Sequence, residues 1–335
     1  MAGSVIVTGA NGSVALHAAE LLLKSYADHT AVFAVRDASD SDVNTKKLRD
    51  IIAQFPSAKA SIHELDLASL ASVNVFADSF AAGVSSGAYP PLSAIICNAY
   101  YWNLVAGPEL TADGYDKTFQ VNHVSHAALV LRLLGSFGPE GGRVLLISSD
   151  SHWPGKNNME KYPPSLGPDM DLLVKPAELD SADDVQGRGY QRYATSKLAL
   201  TTWGYALNRY LQKQEKLSKI TAISMNPGNF PDSRALTRNT PVSLHELQRD
   251  VLVPQLPNLR LQMPTLRTSA EGGHDVVELA VSPAYKGEQG FYTLLEKDVS
   301  SPESQGEATQ DKLWAKTLEW AEVPEDKTAL HVAFE

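Results

Sequence analysis

The chain has 335 residues, 43% of them hydrophobic, a formal charge of −10 and a single cysteine, Cys97. An acidic chain with no Lys/Arg-rich block is a poor match for a nucleic-acid backbone, and one cysteine rules out an internal disulfide and suits a reducing compartment. No uncharged apolar run approaches the length that spans a bilayer and a strand-like run begins at Ser4, so the reading is a soluble cytoplasmic protein without a signal peptide.

Apolar, β-rich runs alternate with helical patterns from the N-terminus. Ser4–Thr8 reads as a buried strand and Ser13–Ser25 as a helix with Ala and Leu inward. Ala31–Val35 is a second strand, followed by a polar-faced helix over Asp42–Phe55. Ser61–Leu65 and Leu70–Ala82 repeat the unit. After Pro90-Pro91, Leu92–Cys97 is a fourth strand and Asp116–Phe137 a long helix. Arg143–Ser148, a helix over Tyr193–Gln212 and a strand over Ile220–Met225 complete the series. The strands are continuously apolar rather than alternating, which indicates a parallel sheet covered on both faces. The expected class is α/β: a Rossmann-type, doubly wound parallel sheet in three α/β/α layers, one domain over 1–335.

Two segments break the alternation. Residues 150–189 are rich in Pro, Gly, Asp and Ser, and 226–268 are Pro-punctuated with short helical patches such as Val242–Val253. Both follow C-terminal strand ends, the edge where open α/β sheets bind ligands, so they read as insertions forming a substrate lid, with disorder as the other reading. The acidic tail, 300–335, carries an amphipathic patch at Leu313–Trp320 expected to pack on the body.

Chemistry concentrates at a few positions. Tyr193 and Lys197, four apart on a helix, share one face, and a neighbouring ammonium is expected to lower a phenol's pKa towards neutrality. After the first strand, Thr8-Gly9-Ala10-Asn11-Gly12 can let a pyrophosphate approach the backbone, with the first helical amides, at Ser13 and Val14, aimed at it. Such a turn can also need glycine for its geometry alone. The acid that would bind a ribose 2′-hydroxyl after the second strand is absent. Arg36 stands there, either clamping a 2′-phosphate, which favours NADP(H), or paired in solvent with Asp37. Asp66-Leu67, after the third strand, would lie beside the adenine, although Asp66 can equally cap a helix. His123, His126 and His152 have no partners at metal-ligand spacing, so no metal is expected. Gly-x-Ser-x-Gly is absent.

Taken together, these residues resemble the short-chain dehydrogenase/reductase family along nearly the whole chain. Thr8-Gly9 with Gly12 resembles its glycine turn, Asp66 its adenine-contacting acid, Cys97-Asn98-Ala99 its fourth-strand end and Asn122 its helix asparagine. Ser148-Ser149-Asp150-Ser151-His152, Thr111-Ala112-Asp113-Gly114 and Gly290-Phe291-Tyr292 are similar to the retinol-dehydrogenase-like branch. Tyr193 and Lys197 match Tyr-x-x-x-Lys, and Pro227-Gly228, with Phe230 and Ser233 following, the nicotinamide-side turn. The long insertion before Tyr193 resembles fungal reductases of specialised metabolism.

The resemblance implies that Tyr193 gives a proton to the substrate oxygen, Lys197 holds the nicotinamide ribose and helps acidify the phenol, Ser149 donates to the carbonyl oxygen and Asn122 holds a relay water. It also implies pairing of subunits through the helices carrying Asn122 and Tyr193, so a homo-oligomer stays open. Three departures stand out. Ser13 and Ala15 replace glycines, Tyr100 replaces the glycine after Asn98-Ala99, and Asp232 or Ser233 replaces a phosphate-holding threonine. Asp232 would repel phosphate if it pointed inward. Tyr100, Tyr101 and Trp153, with Trp102, Tyr162 and Phe230 nearby, read either as a pocket for a bulky apolar ketone or as aromatic loop anchors. The expected function is NADP(H)-dependent reduction of a ketone or oxidation of a secondary alcohol of a small molecule. The alternatives are a non-redox step on the same fold (dehydration, isomerisation or cyclisation) and a non-catalytic binding module.

Overall fold

A computed structural model describes residues 2–176 and 184–333. One eight-stranded sheet runs through it in the order β3-β2-β1-β4-β5-β6-β7-β8. The strands are β1 Ser4–Thr8, β2 Thr30–Val35, β3 Lys59–Glu64, β4 Leu92–Cys97, β5 Gly142–Ile147, β6 Ile220–Asn226, β7 Gly290–Thr293 and β8 Glu296–Asp298. All pair in parallel except β8, which runs antiparallel to β7 at the edge. β1 lies between β2 and β4, so the strand order reverses at β1/β4, and the crevice beyond Thr8 and Cys97 is where a sheet of this kind binds its ligand.

The helices are α1 Ser13–Ser25, α2 Val43–Ala53, α3 Leu70–Ser85, α4 117–133, α5 Val185–Lys213, α6 242–259, α7 Ser269–Val281 and α8 Glu307–Ala321. Side chains alternate across each strand, and β1 shows the consequence. Val5 and Val7 join one core with Ala18 and Leu22 of α1, Leu48 of α2 and Val276 of α7. Ile6 joins the other with Phe76 of α3, Leu129 of α4, Trp203 of α5 and Trp314 of α8. The three-layer, doubly wound architecture is therefore present.

Several expected boundaries move. α5 begins at Val185, not at Tyr193, because Gly187 and Gly189 hide a helical turn: helix-breaking residues by propensity, they sit where the backbone is crowded, and a Cβ on Gly189 would stand 2.1 Å from the Asn103 carbonyl oxygen. The helix expected over 116–137 ends at 133, and its Gln120–Val124 turn is π-helical. β7, β8 and α7 add to the expected elements. Of the first long segment, 177–183 lie outside the described residues; the rest holds a 3₁₀ turn at Asp150–His152 and one helical turn at Asp171–Val174. α6 extends the Val242–Val253 patch to 259.

The tail packs as a helix. Leu313, Trp314 and Trp320 of α8 are buried. The Trp314 ring stacks on Trp203 at 5.8 Å and on Tyr210 at 4.4 Å, both on α5, and Thr317 hydrogen-bonds His123 of α4 at 2.8 Å. α8 thus lies across α4 and α5, the two helices the family resemblance assigns to subunit pairing.

Candidate active site

Tyr193, Lys197, Ser149 and Asn122 come from α5, the end of β5 and the π turn of α4. Lys197 is buried, and its Nζ donates to the Ile147 carbonyl at 2.7 Å. That ammonium lies 5.7 Å from the ring centroid of Tyr193 and 5.7 Å from that of Tyr100. Burial pushes it down to about 7. The Tyr193 phenol is pushed up, chiefly by burial and further by Tyr100, against a hydrogen bond with Ser149 that pulls it down. The expected acidification by Lys197 is therefore reversed.

Ser149 Oγ donates to Asp150 Oδ1 at 3.0 Å and accepts from the Ser151 amide at 3.2 Å. Asp150 escaped the sequence reading, although it adjoins Ser149 in the motif. His152 fixes this loop from outside: Nδ1 donates to the Ser149 carbonyl at 2.7 Å, and Nε2 accepts the Ser301 amide at 3.0 Å. That pair of bonds selects the neutral tautomer with its proton on Nδ1. Asn122 spends its whole amide on the protein, accepting from Tyr101 N at 2.7 Å and donating to Tyr101 O at 2.9 Å and Ser196 Oγ at 2.8 Å. It pins the Tyr100 loop to α5.

On the cofactor side, Gly9 has φ +61°, and a Cβ there would stand 3.0 Å from Ala99. Thr8 Oγ1 accepts from the amides of Asn98 and Ala99, both at 3.0 Å, while Asn98 Nδ2 donates to the Thr8 carbonyl at 2.9 Å. Gly12 caps α1 without a side-chain bond, which leaves the amides of the first turn, at Ser13 and Val14, for another acceptor. A turn that excludes side chains beside an uncapped helix start fits the phosphates of a dinucleotide.

Other expected contacts divide. Arg36 is exposed, and Asp37 bonds Ser39 instead of pairing with it. Asn11 turns its amide to Asp42 and Thr45 at the start of α2. Asp66 accepts from the Ala68 amide at 2.9 Å, and buried Leu67 offers its carbonyl to Ser125. Beyond β6, Pro227 leads into Gly228, which has φ +92°. Phe230 lies against Gly272 of α7, where a Cβ would meet the ring at 2.4 Å, and Ser233 Oγ is used within its own turn by the Ala235 amide. Asp232 accepts from the Ser269 amide and hydroxyl at 2.8–3.0 Å, so its charge is committed to the start of α7. Arg234, which no motif pointed to, reaches the glycine turn.

Aromatic rings frame Tyr193: Trp102 at 5.2 Å, and Tyr100 and Tyr190 each at 6.0 Å. Tyr101 does not join them. Along an extended loop alternate side chains face apart, and its hydroxyl donates to Glu109 at 2.6 Å with Lys117 over its ring. Trp153 packs edge-on to His152. Trp102, Leu104, Tyr190 and Leu244, with Met159 and Leu236, form an apolar cluster that includes Tyr193. Among the described residues no group of three or more His, Cys, Asp or Glu could hold a metal ion, and no helix is long and apolar enough to cross a membrane.

Known proteins resemble this chain along most of its length. A family described as the AcuH dehydrogenase domain matches residues 234–330. The short-chain dehydrogenase iccH of Talaromyces variabilis is 28% identical, the match covering 98% of each chain. The dehydrogenase acuH of Aspergillus aculeatus is 47% identical over 28% of this chain and 96% of its own. Among solved structures, the angucycline C-6 ketoreductase LanV with bound NADP is 19% identical, with a TM-score of 0.57 over 87% of this chain and 93% of that one. The chain belongs to the short-chain dehydrogenase/reductase family.

Proposed function

We propose that this protein is an NADP(H)-dependent oxidoreductase that reduces the ketone, or oxidises the matching secondary alcohol, of a bulky and mostly apolar small molecule. The observation that carries the reading is the meeting of Tyr193, Ser149 and Lys197 beside an aromatic wall, on the strand edge next to the Gly9 turn. NADP(H), when bound, supplies or accepts the hydride. Tyr193, kept protonated by burial, suits donation to a substrate oxygen. Ser149, on the loop that His152 clamps, would turn its hydroxyl proton from Asp150 to the substrate oxygen where negative charge develops. Lys197, with its pKa about 7, can exchange a proton near neutral pH. Arg36, exposed at the end of β2, is the residue offered to a 2′-phosphate. The apolar cluster around Trp102 and Leu244 supports a bulky apolar substrate. The fungal dehydrogenases among the relatives, and the similarity to the angucycline ketoreductase LanV, support a role in specialised metabolism. One buried, unpaired cysteine suits the reducing cytoplasm.

Binding of NADPH, followed by energy transfer from tryptophan, should be saturable and stoichiometric. Tyr193→Phe should lower turnover by about 10²–10⁴-fold while leaving NADPH affinity nearly unchanged; a variant that keeps its activity would take the proton-transfer role away from Tyr193. The occupation of the turn by Arg234 favours a second reading, a non-redox step on the same fold. Conversion of a substrate without any nicotinamide would decide for it.

A further inference from the structure

Arg234 comes from the segment between Gly228 and α6, and its side chain crosses to the glycine turn. Its Nη2 donates to the Asn11 carbonyl at 2.6 Å, and its Nε and backbone N approach Ser13 Oγ at 3.4 and 3.1 Å. The backbone that carries it is fixed, because Gln248 Nε2 donates to the carbonyls of Pro231 and Ser233 at 2.5 and 2.6 Å. A guanidinium is thereby held at the start of α1, the positive end of the helix. Arg238 acts on it as a like charge and Asp42 as an opposite one, both without direct contact among the described residues. Neither Arg234 nor Arg238 forms an ion pair among the described residues. In a chain of net charge −10, a guanidinium held at a helix N-terminus by backbone and hydroxyl oxygens instead of a carboxylate fits an anion of high charge. A backbone carbonyl is a weaker partner for a guanidinium than a phosphate, which brings a full opposite charge and accepts two parallel bonds from the guanidinium fork.

We propose that Arg234 grips the diphosphate of the dinucleotide, its guanidinium leaving the Asn11 carbonyl for the phosphate oxygens, at the place where the family resemblance puts a threonine. The assignment rests on the reading of the chain as an NADP(H) enzyme. It explains how the turn tolerates Asp232: the acid caps α7, and the cation two residues on takes over the anion.

Calorimetric titration of wild type, Arg234→Ala, Arg234→Lys and Arg36→Ala with NADPH and with NADH, at fixed ionic strength, separates the roles. Arg234→Ala should weaken both nucleotides by the same factor, about ten- to a hundredfold for a lost charge-assisted contact. Arg234→Lys should recover part of that loss. Arg36→Ala should weaken NADPH and leave NADH unchanged, since only the former carries a 2′-phosphate. Equal affinities in Arg234→Ala and wild type would overturn the proposal, as would tighter binding in the variant, which would make Arg234 a plug. A loss confined to NADPH would overturn it too, moving Arg234 to the 2′-phosphate. A wild-type protein that binds neither nucleotide would instead remove the NADP(H) reading and this assignment with it. Unfolding midpoints of the variants, measured alongside, distinguish lost contact from lost fold.

Discussion

Lys197 shows what burial does to a residue that the sequence can only place. Tyr-x-x-x-Lys spacing puts the two side chains on one face, and they do lie together, but their electrostatics depend on surroundings no motif records. The amine titrates at about 7, against about 10.4 for a free lysine. Between those values the unfolded chain holds a proton that the folded chain has released. Stability attributable to this group therefore rises with pH across that window, and the penalty for burying the amine is full below it. Lys197→Met removes the term. Urea unfolding of both proteins from pH 6.5 to 10 should show the variant's relative stability falling as the pH climbs; a difference that does not change with pH would return the amine to its ordinary range. The same burial explains why the phenol moves up when a neighbouring cation was expected to bring it down. Arg234 was invisible for a related reason: it follows no spacing rule and reaches the turn only because a distant glutamine, Gln248, fixes its backbone.

At the scale of elements, the repeating part of the fold was legible and the irregular part was not. β1, β2, β4, β5 and β6 are buried apolar runs that announce themselves. β7 and β8 are only four and three residues long, and β8 is exposed throughout, so they lack the length that makes a periodic signal. α7 opens with a capping box formed by Thr268 and Glu271, a signature that the irregular, Pro-punctuated stretch before it obscures. Its start is also where Asp232 spends its charge, a carboxylate at the positive end of a helix. Asp232→Ala should lower stability by about 1 kcal/mol, the usual value of a lost cap, measured by chemical denaturation. It should not tighten NADPH binding, because the carboxylate is held at the start of α7 by the Ser269 amide and hydroxyl. Tighter binding in that variant would show that the carboxylate repels the cofactor after all.

For the whole molecule the decisive element is α8. The helices that carry Asn122 and Tyr193 would pair across a subunit interface if the family resemblance were followed, yet their outer faces are taken by this chain's own tail. Trp203 of α5 is fully buried under Trp314, and His123 of α4 is fully buried beside Thr317. A surface already filled by aromatic side chains of the same chain cannot also receive a second copy. Light scattering should therefore give the mass of one chain, 36.3 kDa, and a dimer that survives dilution through that face would contradict the packing described. The tail is also a large share of the stability. Trp314→Ala should cost about 3–5 kcal/mol, set against a total of about 5–15 kcal/mol for a folded domain. Its unfolding midpoint should fall steeply, while NADPH affinity of the fraction still folded stays close to wild type, because Trp314 stacks on α5 at Trp203 and Tyr210, beyond Tyr193 and Lys197 along the helix. Deleting the chain from residue 301 onward goes further. It strips the cover from α4 and α5 and removes the Ser301 amide that holds His152, and through it the Ser149 loop. The shortened protein should associate through the bared aromatic face and lose turnover together; a soluble, active single chain without α8 would show that the tail is dispensable to both.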